Sequence, residues 1–242
     1  MLNDFLWNFL DLQVRSLEIF CDSCGGQNKN YTMFRFLHYI VHNTHRLDYV
    51  KFTFPIRGHS YMEPDKNMGL INSHQRAEIP SDWVEIFRSA RAKPSPFDVV
   101  EIDQSYFRAW TIFFNTTTGY LKKCPFRSRP IRELEIHQEH QRLIYYREFY
   151  NGAWESAIVK GKETKRKGPV LLQNEFVLPP YSYSGLIPIT AKKFKHLQDL
   201  KRFCGDEAKQ FSITCPRTRS IFYINNYCLL FGIPCFFLTW PL

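Results

Sequence analysis

Asp22 stands at the end of the apolar run Leu17-Glu18-Ile19-Phe20-Cys21 and is followed by Gly25 and Gly26. An acid at the carboxyl end of a strand, next to a glycine break, sits where open α/β sheets place their ligands. One carboxylate does little alone. Phosphoryl transfer through two divalent cations needs acids from separate elements that converge on metals ~4 Å apart. Glu63 and Asp65 follow the next apolar run and open a helix, so they are the further candidates. Each acid also has a plainer reading. Asp22 can cap a turn, and Asp65 can cap a helix, a role worth about 0.5–2 kcal/mol.

His59, in Arg57-Gly58-His59-Ser60, has the chemistry to carry a proton or contact a phosphate, or simply to hydrogen-bond within its loop. Cys21 and Cys24 form a C-x-x-C pair, but zinc takes four ligands and no second pair stands at finger spacing. His38, His42 and His45 fall at helical spacing on one face and are the other metal-ligand candidates. No phosphate-binding P-loop, dinucleotide fingerprint, nucleophile elbow or zincin motif is present.

The elements that must position these residues follow from periodicity. Asn3 to Gln13 reads as a short amphipathic helix, Leu17–Asp22 as a buried strand, and Asn28 to Asn43 as a helix. Tyr49–Phe54 reads as a second strand, stopped by Pro55. Asp65 opens a helix to about Arg76, and Ser81 caps another. The first 92 residues therefore alternate as an α/β layered sheet with parallel or mixed strands. Phe97–Ile102, Arg132 to Ile136, Leu143 to Phe149 and Trp154 to Val159 read as strands of a β-rich extension. Thr190 caps a basic helix to about Cys204, with Phe194, Leu197 and Leu200 as its buried stripe. The expected divisions are 1–95, a partial core; 96–160, the β-rich extension; 161–214, a basic loop and helix; and 215–242, a tail that is uncharged after Arg219. Asn225, Asn226, Gly232, Pro234 and Pro241 interrupt that tail, which argues against a membrane anchor.

Charge divides along the chain. The net charge is +9, with 10 basic against 3 acidic residues from Lys160 to Arg202 and 2 against 4 from Met1 to Asn30. Carboxylates that hold cations and separate lysines and arginines that hold phosphate are the division a metal-dependent nuclease needs. Seven cysteines, irregularly spaced, and no secretory pattern at the N-terminus point to a reducing, intracellular setting.

Three segments carry a resemblance: Cys21-Asp22-Ser23-Cys24-Gly25-Gly26-Gln27-Asn28-Lys29-Asn30, then Phe54-Pro55-Ile56-Arg57-Gly58-His59-Ser60, then Asp65-Lys66-Asn67-Met68-Gly69-Leu70-Ile71. In this order they resemble a large family of transposon-derived domains of unknown function. Gly185–Lys193 and Asp199-Leu200 resemble that family's C-terminal segment. The resemblance implies an RNase H-like, integrase-type mixed sheet with an Asp-Asp-Asp/Glu site for Mg²⁺ or Mn²⁺, and a nuclear protein whose partner is DNA. Asp22 would be the second acid and Asp65 the third, with Glu63 as its alternate and His59 just before. Gln27, Asn28 and Lys29 would flank the site and reach a phosphate. Arg57, Lys165, Arg166, Lys167, Lys192 and Lys193 are further expected phosphate contacts. The chain departs from the family at the first acid, which belongs to a strand of an initial hairpin. Only one helix precedes the Asp22 strand, so the expected sheet is N-terminally incomplete with one edge uncovered. Cleavage by this chain alone is not expected. The competing expectations are a protein-interaction module using Tyr145, Tyr146, Tyr150 and Trp154 as anchors, or a relic frame without function.

Overall fold

The structure is a computed structural model that describes residues 2–56, 63–72, 77–116, 119–161, 177–185, 187–214 and 237–239. It divides into two compact units. Unit 1 comprises Met1–Ser60, Arg108–Pro180 and Ile233–Leu242, and unit 2 comprises Tyr61–Phe107 and Tyr181–Gly232.

Unit 1 is a mixed sheet with helices on one face. Its strands are β1 (Ser16–Phe20), β2 (Tyr49–Thr53), β3 (Glu133–His137), β4 (Leu143–Arg147), β5 (Glu155–Ile158) and β6 (Phe237–Thr239). The spatial order is β5-β4-β3-β2-β1-β6. β1 and β2 run parallel, with Ser16 opposite Tyr49 and Phe20 opposite Thr53. A parallel pair needs a crossover, and the helix α2 (Tyr31–His42) supplies it. All other pairings are antiparallel. The β-rich stretch is thus a continuation of the first sheet, joined where β3 pairs with β2.

Alternation sets the faces. Leu17 and Ile19, Val50 and Phe52, Leu134 and Ile136, and Ile144 are all fully buried on one side. The opposite side carries charge. Lys51 Nζ lies 3.0 Å from Glu133 Oε1, and Arg147 pairs with the same carboxylate. α2 covers the apolar face so completely that every residue from Phe34 to Val41 is buried. It packs on β2, β3 and a helix that the sequence reading lacks, α5 (Trp110–Thr116). Aromatic rings make that seam: Phe36 meets Trp110 edge-on at 4.8 Å, and Tyr39 meets Phe113 at 5.6 Å.

The N-terminal helix is shorter than expected. It is α1 (Leu2–Asp4) running into a π-helical turn, Phe5–Phe9. Arg46 ends it. Its buried guanidinium donates to the carbonyls of Leu6, Leu10, Asp11 and Val14 at 2.8–2.9 Å. His45, at φ +50°, makes the left-handed turn that brings Arg46 there.

Three expectations change. The edge of β1 is not bare, because β6 from the uncharged tail pairs with Glu18–Phe20. Phe97–Ile102 is not a strand, and Val100 is 64% exposed there, so its apolar pattern has no sheet to face. Leu200 is exposed rather than buried, and Phe194 and Leu197 are half-buried, so none of the expected stripe is fully buried.

Unit 2 holds α3 (Glu63–Asn72), α4 (Pro80–Ser89), α6 (Ala191–Leu200) and α7 (Asp206–Thr214). α3 begins at Glu63, so Asp65 lies in its first turn and is not its cap; Pro64 is tolerated that early because first-turn amides need no partner. α4 begins at Pro80, one residue before Ser81, and Asp82 accepts from the backbone N–H groups of Glu78 and Ile79. Thr190 caps α6 as expected, accepting from the N–H of Lys193 at 3.3 Å. Among the described residues no helix is long and apolar enough to cross a membrane.

Candidate functional site

β1 ends at Phe20, and the chain leaves it through Cys21, whose N–H still bonds Thr53 of β2 at 3.1 Å. Asp22 follows and is exposed. The next residues fold into a tight loop around one acceptor: the carbonyl of Cys24 receives the N–H groups of Gln27, Asn28 and Lys29 at 2.9–3.2 Å. Asn30 then caps α2, its side chain accepting from Met33 N at 3.0 Å. The Cys21–Asn30 motif is therefore a strand-to-helix turn that holds Asp22 at the carboxyl end of β1.

Asn28 and Lys29 have roles other than the one the sequence suggests. Asn28 is buried and donates through Nδ2 to Asp22 Oδ1 at 2.9 Å; the N–H of Cys24 also points at that oxygen, at 3.4 Å. Lys29 is only 5% exposed. Its Nζ donates to the carbonyls of Arg129 at 2.7 Å and Ile131 at 2.5 Å, and lies 4.8 Å from the centre of the Phe54 ring. Burial, with Arg132 nearby, lowers its ammonium to about 8. Neither side chain is free to reach a phosphate. Gln27 is exposed at the loop surface.

The stretch that Lys29 grips escapes sequence reasoning. Lys122 to Arg132 contains five basic residues and no acid, divided by Pro125 and Pro130. Its apolar members turn inward. Phe126 stacks between Phe34 and Tyr146 at 6.0 and 4.4 Å, and Ile131 is fully buried. Lys122, Lys123, Arg127 and Arg129 turn outward and are exposed. None of these four has an ion-pair partner among the described residues. The signal available in the sequence is the run of cations without a carboxylate, spaced by prolines.

The remaining candidates divide. Asp65 is exposed in the first turn of α3, and Lys192 and Lys193 are exposed in the first turn of α6, all in unit 2. Arg57, His59, Lys165, Arg166 and Lys167, and the side chain of Glu63, lie outside the described residues. Among the described residues no group of three or more His, Cys, Asp or Glu is placed to hold a metal. The four described cysteines, Cys21, Cys24, Cys124 and Cys204, are free thiols.

The histidines do not form one face. His45 lies beyond α2 and is exposed. His38 is fully buried, with Nδ1 2.7 Å from the Tyr120 hydroxyl, and its ring lies 4.2 Å from that of His42. Burial holds His38 well below the usual imidazole range, with His42 and Lys160 adding repulsion. Burial, then Lys160, lowers His42 to about 4. His38 is a core imidazole and His42 a half-buried one, and burial favours the neutral form of each. Of the aromatic anchors expected of an interaction module, Tyr150 donates to Phe54 O at 2.9 Å and Tyr146 to Glu155 at 3.0 Å, the Tyr145 hydroxyl lies 3.2 Å from His140 Nδ1, and Trp154 is 37% exposed beneath Arg147.

No family model, no curated protein and no solved structure matches this chain.

Proposed function

We propose that this chain is a transposase-derived, RNase H-like domain that binds DNA and does not cut it. The observation that carries the reading is the fold of the Cys21–Asn30 motif. It sets an exposed Asp22 at the carboxyl end of β1, beside parallel β2, where open α/β sheets receive ligands. The +9 net charge supports a polyanionic ligand.

Among the described residues of unit 1, those at this strand end do not fit the Mg²⁺ or Mn²⁺ pair that the resemblance implies. Two cations need several carboxylates. Among the described residues around this strand end, Asp22 has its Oδ1 already accepting from Asn28 and facing the Cys24 N–H, and Glu133, opposite Thr53 of β2, is taken by Lys51 and Arg147. Asp4 and Asp11, the acids that precede β1, accept from Asn8 and Gln13 within their own segment. Asp22 instead ties the strand-to-helix turn together through its bond with Asn28.

The test has two arms. Supercoiled plasmid incubated with the protein and Mg²⁺ or Mn²⁺ should stay intact, with wild type and Asp22→Ala alike. Duplex DNA should bind with an affinity that falls steeply with salt. Cleavage that disappears in Asp22→Ala overturns the first half of the reading, and absent or salt-independent binding overturns the second.

A further inference from the structure

We infer that the connector Lys122–Arg132 is the surface through which this chain holds a nucleic-acid phosphate backbone, with buried Lys29 as the clamp that keeps Arg127 and Arg129 in place. The inference rests on the DNA-binding reading above and gives it an address.

Three observations carry it. First, four cations project from one short stretch with no carboxylate paired to them. Exposed cations on a protein surface commonly sit beside acids; a surface that keeps its charge uncompensated is electrostatically ready for a polyanion. Second, the stretch is anchored and does not dangle. Phe126 and Ile131 plug into the core, the N–H of Arg132 bonds Arg147 O at 2.8 Å, and Arg132 O accepts from Phe54 N at 2.8 Å. Ordering long cationic side chains costs less when their backbone is already fixed. Third, Lys29 reaches across 100 and 102 residues of sequence to the carbonyls on either side of Pro130. That joins the connector to the loop of Asp22 and α2.

The chemistry favours phosphodiester over an acidic protein. A protein interface needs apolar or aromatic anchors at its centre. Both large apolar side chains between Lys122 and Arg132 face inward, so the exposed side chains of the stretch are mainly cationic. A nucleic-acid backbone is a ligand for which charge suffices.

The test uses fluorescence anisotropy of the whole chain on labelled duplex DNA of about 30 base pairs, between about 50 and 200 mM salt. Arg127→Ala/Arg129→Ala should weaken binding on the order of tenfold and reduce the slope of log K against log salt by about 1.8, two phosphate contacts' worth. Lys29→Met keeps an unbranched side chain of similar length and removes the ammonium that lies over Phe54. It should weaken binding to a similar extent, yet add less than about twofold in the Arg127→Ala/Arg129→Ala background, because Lys29 acts through those arginines. Should Lys29→Met fail to fold, the arginine pair still decides the matter, since both side chains are exposed. Unchanged affinity and slope in Arg127→Ala/Arg129→Ala overturn the inference. If Lys192→Ala/Lys193→Ala abolishes binding while the connector variants do not, the DNA-binding reading stands and the connector assignment falls. If the wild type binds no DNA, both fall. Binding to polyglutamate but not to DNA overturns the choice of phosphodiester, and full additivity of Lys29→Met overturns the clamp.

Discussion

Acidification should destabilise this fold through His38 and His42, and the size of the effect follows from their burial. In the unfolded chain each imidazole takes up a proton near pH 6.5. In the folded chain His38 stays neutral to well below that, and His42 to about 4. The unfolded state therefore binds protons first as pH falls. Stability is intact above about pH 6.5 and is lost progressively on the way down to about 4. At pH 5 an imidazole that stays wholly neutral when folded costs about 2 kcal/mol, which is RT ln(1 + 10^1.5). Burial moves His38 toward that limit. His42 is partly exposed, so solvent screening reduces its share to about 1 kcal/mol. The pair should cost up to about 3 kcal/mol between about pH 7.5 and 5. Burial sets the sign, and the groups facing the two rings modulate it. Lys160 disfavours protonation of both rings and His140 and His45 that of His42; Glu139 favours it; the Tyr120 hydroxyl holds His38 Nδ1. Urea titrations at the two pH values measure the loss. His42→Leu, which cannot protonate, should lose about 1 kcal/mol less than wild type over this range. Superimposable pH dependences for wild type, His42→Leu and the His38→Leu/His42→Leu double variant would refute the reasoning.

Three further outcomes follow from named contacts. Arg46→Met should destabilise unit 1 by about 3–5 kcal/mol, because four backbone carbonyls lose a charged donor, and should expose residues 2–14 to fast amide exchange; unchanged exchange there would contradict the role given to Arg46. Glu133→Gln should cost about 2–4 kcal/mol in urea denaturation, since its carboxylate is nearly buried and serves both Lys51 and Arg147. Asn28→Ala should cost about 1–3 kcal/mol by removing the buried amide that braces Asp22; a neutral melting curve would show that the loop does not need it.

The sequence speaks clearly where burial is periodic. β1, β2 and α2 follow from the alternation of Leu17 and Ile19, of Val50 and Phe52, and from the apolar stripe of Phe34, Leu37 and Val41. α5 is harder to see, because Trp110-Thr111-Ile112-Phe113-Phe114 consists of residues that favour strands, and only packing against α2 makes it helical. The reverse holds at Phe97–Ile102, where strand-like residues lack a partner strand. β6 lies in an uncharged tail without alternation, and its pairing with β1 joins residues more than 200 positions apart. At the candidate site, the position of Asp22 is legible from its strand and glycines. The burial of Lys29 is not, since its acceptors are carbonyls about a hundred residues away. Nor is the outward set of Lys122, Lys123, Arg127 and Arg129, which appears only once Phe126 and Ile131 are seen to face inward.

The salt dependence of duplex DNA affinity tests the central claim most directly. If the chain holds a phosphate backbone with the four outward cations of the connector, log K should fall linearly with log salt, with a slope of at least about −3.6, or 0.9 per contact. A slope near zero, or no binding at about 50 mM salt, would contradict it.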